Sequence, residues 1–521
     1  MSCMNETLET KSAIKNGVSR MVFAIISILL EVGIILVLNL YLYEKWLLFS
    51  AAFRIIGVMS VLFLYGRNYS SSLKMPWIML IMSVPVAGLV FYLLVGLNRG
   101  TRKMRKRYED IDEVLLPKLP DGNEAQKLLA ENYPYIANVT HYIKNYSAYP
   151  LYLGSKVTYY DDALKGLNAQ KEALKSAKHF IFMEYHAIED GTAWNEIETI
   201  LELKVKEGLD VRVFYDDMGS IGFINTDFVK KLEGKGISCR VFNPFAPGLN
   251  MFLNNRDHRK ITVIDGNIGF TGGYNLADEY FHRREPFGFW KDTGIKIEGE
   301  AVKNLTVTFL EMWNAVSHKD VDDTDYDRFL NCEFRNFSDG GFAVPYADSP
   351  MDDEQVGEEV YMSIAEGAKD YAWFVTPYLI ITDEMIHTLS LAAKRGVDVR
   401  IITPGIPDKK IVYSVTRSYY NALAKNGVRI FEYTPGFCHC KMSVSDDVVA
   451  TCGTINMDYR SFYHHFENGC LYADCSAVID TRKDFEEMFK VSTEVTEYYS
   501  TGGGAFMRLG QLILRLFAPL M

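Results

Sequence analysis

The chain has 521 residues, 48% of them hydrophobic, which is enough for two catalytic units of ordinary domain size plus an accessory segment. A formal net charge of -11 argues against a general nucleic-acid binder, which would carry a broad basic footprint. Only a local basic groove inside an acidic total would leave room for a nuclease.

The first hundred residues differ from the rest. Met21 to Tyr43 is apolar apart from Glu31 and Asn39, Trp46 to Tyr65 is apolar apart from Arg54, and Trp77 to Leu97 carries no charge. The first and third stretches are long enough to span a bilayer. Arg54 makes the middle one costly unless it snorkels or finds a partner such as Glu31. Two or three spans are therefore predicted, retained as an anchor because no small-residue cleavage site follows the first. Arg99, Arg102, Lys103, Arg105, Lys106 and Arg107 then mark this end as cytoplasmic. At anionic headgroups each such cation contributes on the order of 1 kcal/mol. Residues 1–110 read as a transmembrane anchor with a basic juxtamembrane cluster.

From 111 to 335 helical and buried-strand patterns alternate. Ala177-Lys178 leads into the apolar run Phe180-Ile181-Phe182-Met183; Gly208-Leu209-Asp210-Val211-Arg212 and Gly236-Ile237-Ser238-Cys239-Arg240 each place a glycine between a helix and a strand. His258-Arg259-Lys260, with Asp265 downstream, follows, and then Gly272-Gly273-Tyr274-Asn275. The acidic stretch Asp320 to Asp327 and the residues Asn336 and Phe337 read as a connection.

The same markers recur in order from 336 to 521. Ala368-Lys369 leads into Ala372-Trp373-Phe374-Val375; Gly396-Val397-Asp398-Val399-Arg400 and Gly427-Val428-Arg429 follow; His439-Cys440-Lys441 precedes Asp446 and Gly453-Thr454-Ile455-Asn456. Both copies read His-x-Lys-x4-Asp, and the interval from His258 to Asn275 equals that from His439 to Asn456. A register-matched duplication implies one site built from two related halves.

Two facing imidazoles can divide labour, one nucleophilic and the other supplying a proton to a departing oxygen. Two lysines and two asparagine amides then offer fixed donors around an anion. Phosphodiester cleavage through a phosphohistidine fits this set, and it requires neither metal nor cofactor. Asp292 and Glu467, downstream of the two asparagines, are candidates to hold the second ring nitrogen of each histidine.

At the C-terminus Phe506, Leu509, Ile513, Leu516, Phe517 and Leu520 recur at helical steps after Gly502-Gly503-Gly504, predicting an amphipathic helix that lies at the bilayer interface or on the protein's own core. Eight scattered cysteines do not form a disulfide framework. Cys438, Cys440 and Cys452 around His439 invite a zinc reading. It is disfavoured because alternating residues of an extended chain point to opposite faces and the first copy lacks the thiols.

Asp257-His258-Arg259-Lys260-Ile261-Thr262-Val263-Ile264-Asp265-Gly266, running into Phe270-Thr271-Gly272-Gly273-Tyr274-Asn275-Leu276-Ala277-Asp278-Glu279-Tyr280, resembles the phospholipase D superfamily. With its membrane segment, the whole chain resembles the bacterial cardiolipin synthases. The resemblance implies an α/β fold of two α-β-α sandwich halves related by a pseudo-twofold axis, preceded by the membrane segment. It implies a catalytic set of His258, Lys260, Asp265, His439, Lys441 and Asp446. Asn275 and Asn456 would bind substrate, and the two motif aspartates would stabilise the site and the contact between halves. It further implies a multi-pass protein of the bacterial cytoplasmic membrane, facing the cytoplasm, that joins two phosphatidylglycerols into cardiolipin with release of glycerol. A phospholipid hydrolase, another phosphatidyltransferase and a membrane-bound nuclease share the motifs and stay open, and a repeat decayed into scaffold would not have kept both His/Lys pairs.

Overall fold

The computed structural model describes residues 19, 21–23, 25–37, 47–67, 70–93, 102–244, 255–317, 319, 322–352, 354–502, 508–516 and 518.

Each half is built on a mixed sheet. In the first, the strands lie in the order Lys156–Tyr160, Gly294–Glu298, Ile268–Gly272, Lys260–Ile264, Phe180–Tyr185, Asp210–Asp216, Ser238–Phe242. In the second, the same order is followed by Phe342–Asp348, His465–Ala473, Val449–Gly453, Met442–Ser445, Tyr371–Val375, Asp398–Pro404, Arg429–Tyr433. The last three strands of each set run parallel and the others antiparallel. The central strands are apolar runs because both of their faces are covered.

Helices Ala163–Lys175 and Thr192–Lys206 cover the outer face of the first sheet. Helix Val302–Ala315 is buried over almost its whole length because it touches strands of both sheets, including Lys260–Ile264 and Phe342–Asp348. Its counterpart Ser476–Lys490 packs on its own sheet and on Lys156–Tyr160 of the other half. The two α/β halves therefore share one core. The expected boundary near 335 is not clean, because Tyr152–Leu153 and Arg256–Asp257, from the first half in sequence, pair with strands of the second sheet.

The glycines read as helix terminators do that work. Gly208 and Gly396 adopt φ of +91° and +98°, a left-handed conformation that reverses the chain from helix into strand.

The N-terminal segment departs from expectation. Among the described residues no helix is long and apolar enough to cross a membrane. Residues 38–46, where the first predicted span ends, lie outside the described residues, as do 94–97 of the third. The described part of the third is not one helix. It breaks into Ser71–Ser83 and Pro85–Phe91 at Val84, whose ψ of 77° is non-helical because a proline follows. The two pieces fold back closely, so that a β-carbon on Gly88 would lie 2.7 Å from the Ile81 backbone. Both pack on helix Leu47–Tyr65, which exposes Ile55, Ile56, Met59, Leu62 and Phe63. Such a patch is far larger than scattered surface apolar residues require.

The basic cluster is partly spent within the protein. In helix Arg102–Leu115, Arg107 turns inward to Asp322 and the Asn314 carbonyl, and Arg105 pairs with Glu109. Lys103 and Lys106 remain exposed. Of the C-terminal amphipathic pattern, Phe506, Phe517 and Leu520 lie outside the described residues; helix Arg508–Leu516 packs against Lys410–Ala424 and touches Ser71–Ser83.

Candidate active site

His258 and His439 lie in the extended stretches leading into the central strands, at the interface of the halves. The backbone N–H of His258 donates to the Phe466 carbonyl at 2.8 Å, and its Nδ1 bonds Glu467 Oε2 at 2.9 Å. The arrangement is repeated with the partners exchanged. The backbone N–H of His439 donates to the Lys291 carbonyl at 2.8 Å, and its Nδ1 bonds Asp292 Oδ2 at 2.7 Å. Each half thus lends a buried carboxylate to the other half's histidine. Such reciprocity is what a pseudo-twofold relation imposes. With Nδ1 engaged, Nε2 of each ring is the nitrogen left for chemistry.

The lysines stand two residues on, so they share a face with their histidines. Lys260 Nζ donates to the His258 carbonyl at 2.6 Å, and Lys441 Nζ contacts both the His439 carbonyl and its Nδ1. Burial, together with the surrounding cations, drives both imidazoles well below the ordinary histidine value. Lys260 and Lys441 act on both rings, and His258 itself opposes protonation of His439, so the two motifs meet at one site. Burial also pulls Lys260 down to about 7, against the attraction of Glu467, and lowers Lys441. Asp292 is pushed up to about 7 by burial, with Lys441 working in the opposite sense. These are the marks of a desolvated, strongly coupled polar site.

Asn275 accepts from the Ala187 N–H and donates to the Tyr280 hydroxyl at 2.8 Å, so part of its amide is already committed. Among the described residues Asn456 receives no equivalent support, and its buried side-chain oxygen has no partner. The motif aspartates are elsewhere, which corrects the expectation for Asp265 and Asp446. Asp265, at φ of +51°, accepts the backbone N–H groups of Lys178, His179 and Phe180; Asp446, at +53°, accepts those of Lys369, Asp370 and Tyr371. Each closes the turn beyond its central strand and ties it to the neighbouring strand of the same half. Both carboxylates are spent on backbone at the strand end remote from the lysine, and neither reaches across the halves.

Sequence reasoning missed several neighbours. His186 follows strand Phe180–Tyr185, donates from Nδ1 to the Asp257 carbonyl at 2.8 Å, and sets its ring 4.9 Å from that of His258. His465 lies 5.5 Å from the His258 ring and 3.5 Å from Glu467 Oε1, and among the described residues neither ring nitrogen has a hydrogen-bond partner. His258, His465 and Glu467 each present one ligand atom within 4.8 Å of the others, so they have the reach to hold a metal ion; the cysteines near His439 are not in that group. Around His439 the wall is aromatic instead, with Tyr280, Trp290 and Phe437 at 5.4, 5.7 and 5.7 Å. Position matching carried a usable signal for this asymmetry, because His465 and Trp290 each stand two residues before an orienting carboxylate.

The family described as "Cardiolipin synthase, PLD-like domain" matches residues 171–313 and 361–489, the two motif-bearing stretches. The chain is 39% identical over 462 residues to an uncharacterized protein of Streptococcus mutans, covering 89% of this chain and 99% of that one. It is 31% identical over 502 residues to a cardiolipin synthase of Halalkalibacterium halodurans, covering 94% and 98%. The crystal structure of a phosphatidylserine synthase from Haemophilus influenzae superposes with a TM-score of 0.54 at 14% identity, over 73% of this chain and 97% of that one, a likeness of fold. With two register-matched His-x-Lys motifs, two sheets of one strand order and these relatives, the chain belongs to the cardiolipin synthase-like family of the phospholipase D superfamily.

Proposed function

We propose that the protein is a cardiolipin synthase, transferring a phosphatidyl group from one phosphatidylglycerol to the hydroxyl of another. The observation that supports the reading is the exchange of carboxylates between halves, which orients one imidazole of each half at their interface and suits a pair that works on one phosphorus.

Glu467 accepts a hydrogen bond from the Nδ1–H of His258, which fixes the tautomer and leaves Nε2 as an unprotonated nucleophile. Nε2 attacks phosphorus, the bond to the leaving glycerol oxygen breaks, and His439 delivers a proton to that oxygen. Asp292, with its affinity for a proton raised to about 7, lets the His439–Asp292 pair hold that exchangeable proton near neutrality. A phosphatidyl-histidine and free glycerol result. The hydroxyl oxygen of the second phosphatidylglycerol then attacks phosphorus, its proton passes to His439, and the phosphorus–nitrogen bond breaks to give cardiolipin. Lys260 and Lys441, with Asn275 and Asn456, supply the donors for the non-bridging oxygens.

Transfer prevails over hydrolysis when a lipid alcohol, not water, reaches the intermediate. The exposed apolar helix Leu47–Tyr65 and the apolar hairpin beside it support work at a membrane surface, where donor and acceptor are concentrated. The cations that follow favour the cytoplasmic side. Aromatic rings around His439 would limit water.

The test is incubation of the protein with labelled phosphatidylglycerol. Cardiolipin plus glycerol is expected; phosphatidic acid as the sole product would make it a hydrolase. His258→Ala and His439→Ala should each abolish turnover, and an active variant of either would contradict the paired-imidazole mechanism.

A further inference from the structure

Arg460 sits four residues beyond Asn456 in the short helix Tyr459–Tyr463, which packs on strand His465–Ala473 beside the other half. Its charge acts on His258 and His465, and it senses Arg256, Asp216 and Tyr378 as well as Asp458. Among the described residues its guanidinium donates no hydrogen bond and forms no ion pair. That sets it apart from nearby Arg256, which binds Asp216 and the Asn243 carbonyl, and from Arg259, which binds Glu184 and Asp257. Burial, the largest influence on it, disfavours its charge, and Asp458 offsets that only in part. A part-buried guanidinium without a counter-ion is costly to keep unless an anion from outside completes it.

The matching position of the first half, four residues beyond Asn275, is Glu279, which pairs with Arg284 at 2.9 Å. The duplication therefore keeps the paired His and Lys residues and, at this position, replaces a paired acid with an unpaired base. A reaction that joins two phosphodiester lipids needs that asymmetry. One phosphate is attacked, and a second, carried by the acceptor, must rest one glycerol length away without reacting. Lys260 and Lys441 are bound to the backbone beside the histidines and serve the first. Lys409, the other cation acting on both rings, is largely exposed and already pairs with Asp408.

We infer that Arg460 forms a second anion subsite, which binds the phosphodiester of the acceptor lipid and selects an anionic phospholipid alcohol over a neutral one. Guanidinium suits this task because its planar fork grips two oxygens of one phosphate. The inference rests on the transfer reading above and adds the identity of the acceptor to it.

The experiment compares two acceptors on the full-length protein in mixed micelles with phosphatidylglycerol as donor. One reaction forms cardiolipin; the other exchanges labelled glycerol, a neutral alcohol, into phosphatidylglycerol. In Arg460→Gln the ratio of cardiolipin formation to glycerol exchange should fall at least tenfold, with a raised KM for the lipid acceptor. Arg460→Lys, which keeps the charge and loses the fork, should recover part of the ratio. A ratio unchanged in Arg460→Gln, whether both activities persist or both are lost together, overturns the subsite. A wild-type protein that performs neither reaction removes the transfer reading itself, and the subsite with it.

Discussion

Exchanging the buried carboxylate behind His258 for its isosteric amide separates the two imidazole roles. Glu467 accepts from His258 Nδ1 at 2.9 Å and from the Thr454 hydroxyl, with no exposure to solvent. Both bonds converge on Oε2, so in Glu467→Gln the amide oxygen keeps them with its N–H groups turned toward His465, and the negative charge behind His258 is lost. Without that charge the Nδ1 proton is held less firmly, and Nε2, the atom that must attack, is a weaker nucleophile. An amide in place of the carboxylate behind a catalytic imidazole costs about 10³- to 10⁴-fold, or roughly 4–5.5 kcal/mol of barrier. Asp292→Asn makes the same change behind His439, at 2.7 Å, and should cost a similar factor on phosphatidylglycerol. The variants part company on a phosphatidyl ester of p-nitrophenol, whose leaving group needs no proton. Formation of the covalent phosphatidyl-enzyme, followed in a single turnover and quenched in alkali, should return to within about tenfold of wild type in Asp292→Asn, since only the acid has been impaired. It should remain at least about 10³-fold slow in Glu467→Gln, where the nucleophile itself is weakened. Equal rescue of both variants would refute the division of labour, and rescue of Glu467→Gln alone would reverse the two histidines.

The motif aspartates give the opposite expectation. Asp265→Asn keeps a residue that tolerates φ of +51° but weakens three backbone hydrogen bonds, so it should lower stability by about 1–2 kcal/mol, read as a drop in Tm. Turnover by the folded fraction should stay within a few-fold of wild type; a loss of several hundredfold at unchanged Tm would return Asp265 to the chemistry. Binding of a short-chain phosphodiester, whose own charge is constant near neutrality, should weaken with rising pH. Lys260 must be protonated to hold the anion, and in the free protein it loses its proton at about 7. Below 7 this group leaves affinity flat, and above 7 affinity should fall by up to about tenfold per pH unit, with uptake of a proton seen by calorimetry in buffers of different ionisation heat. Affinity that is independent of pH between 6 and 9 would mean that the Lys260 ammonium does not contact the phosphate.

Much of the site was legible in the chain because its information is local. The His-x-Lys spacing places both side chains on one face of an extended segment, and the equal interval to each asparagine marks a repeat whatever the fold. Glycines at 208 and 396 announced the ends of helices for a similarly local reason, the steric cost of positive φ. The break in the third apolar stretch was also written there, as Val84 before Pro85, but hydropathy averages over a window and hides a single proline.

Other features depend on what lies far away in sequence. That Glu467 serves His258 follows from strand Arg256–Asp257 lying beside His465–Ala473, and that Asp292 serves His439 follows from Lys291 lying beside Cys438, contacts between halves that no local pattern encodes. The same motif spacing that identified Asp265 and Asp446 could not show that their carboxylates turn to backbone N–H groups, since turn geometry sets the direction of a side chain. His186 carries no signature in one dimension, and position matching marks His465 and Arg460 only as places where the two halves differ. The chain determined which groups are available and that they come in two sets; only burial and the meeting of the two sheets decided which carboxylate holds which imidazole and which cation is left without a partner, because desolvation and pairing are properties of neighbours in space.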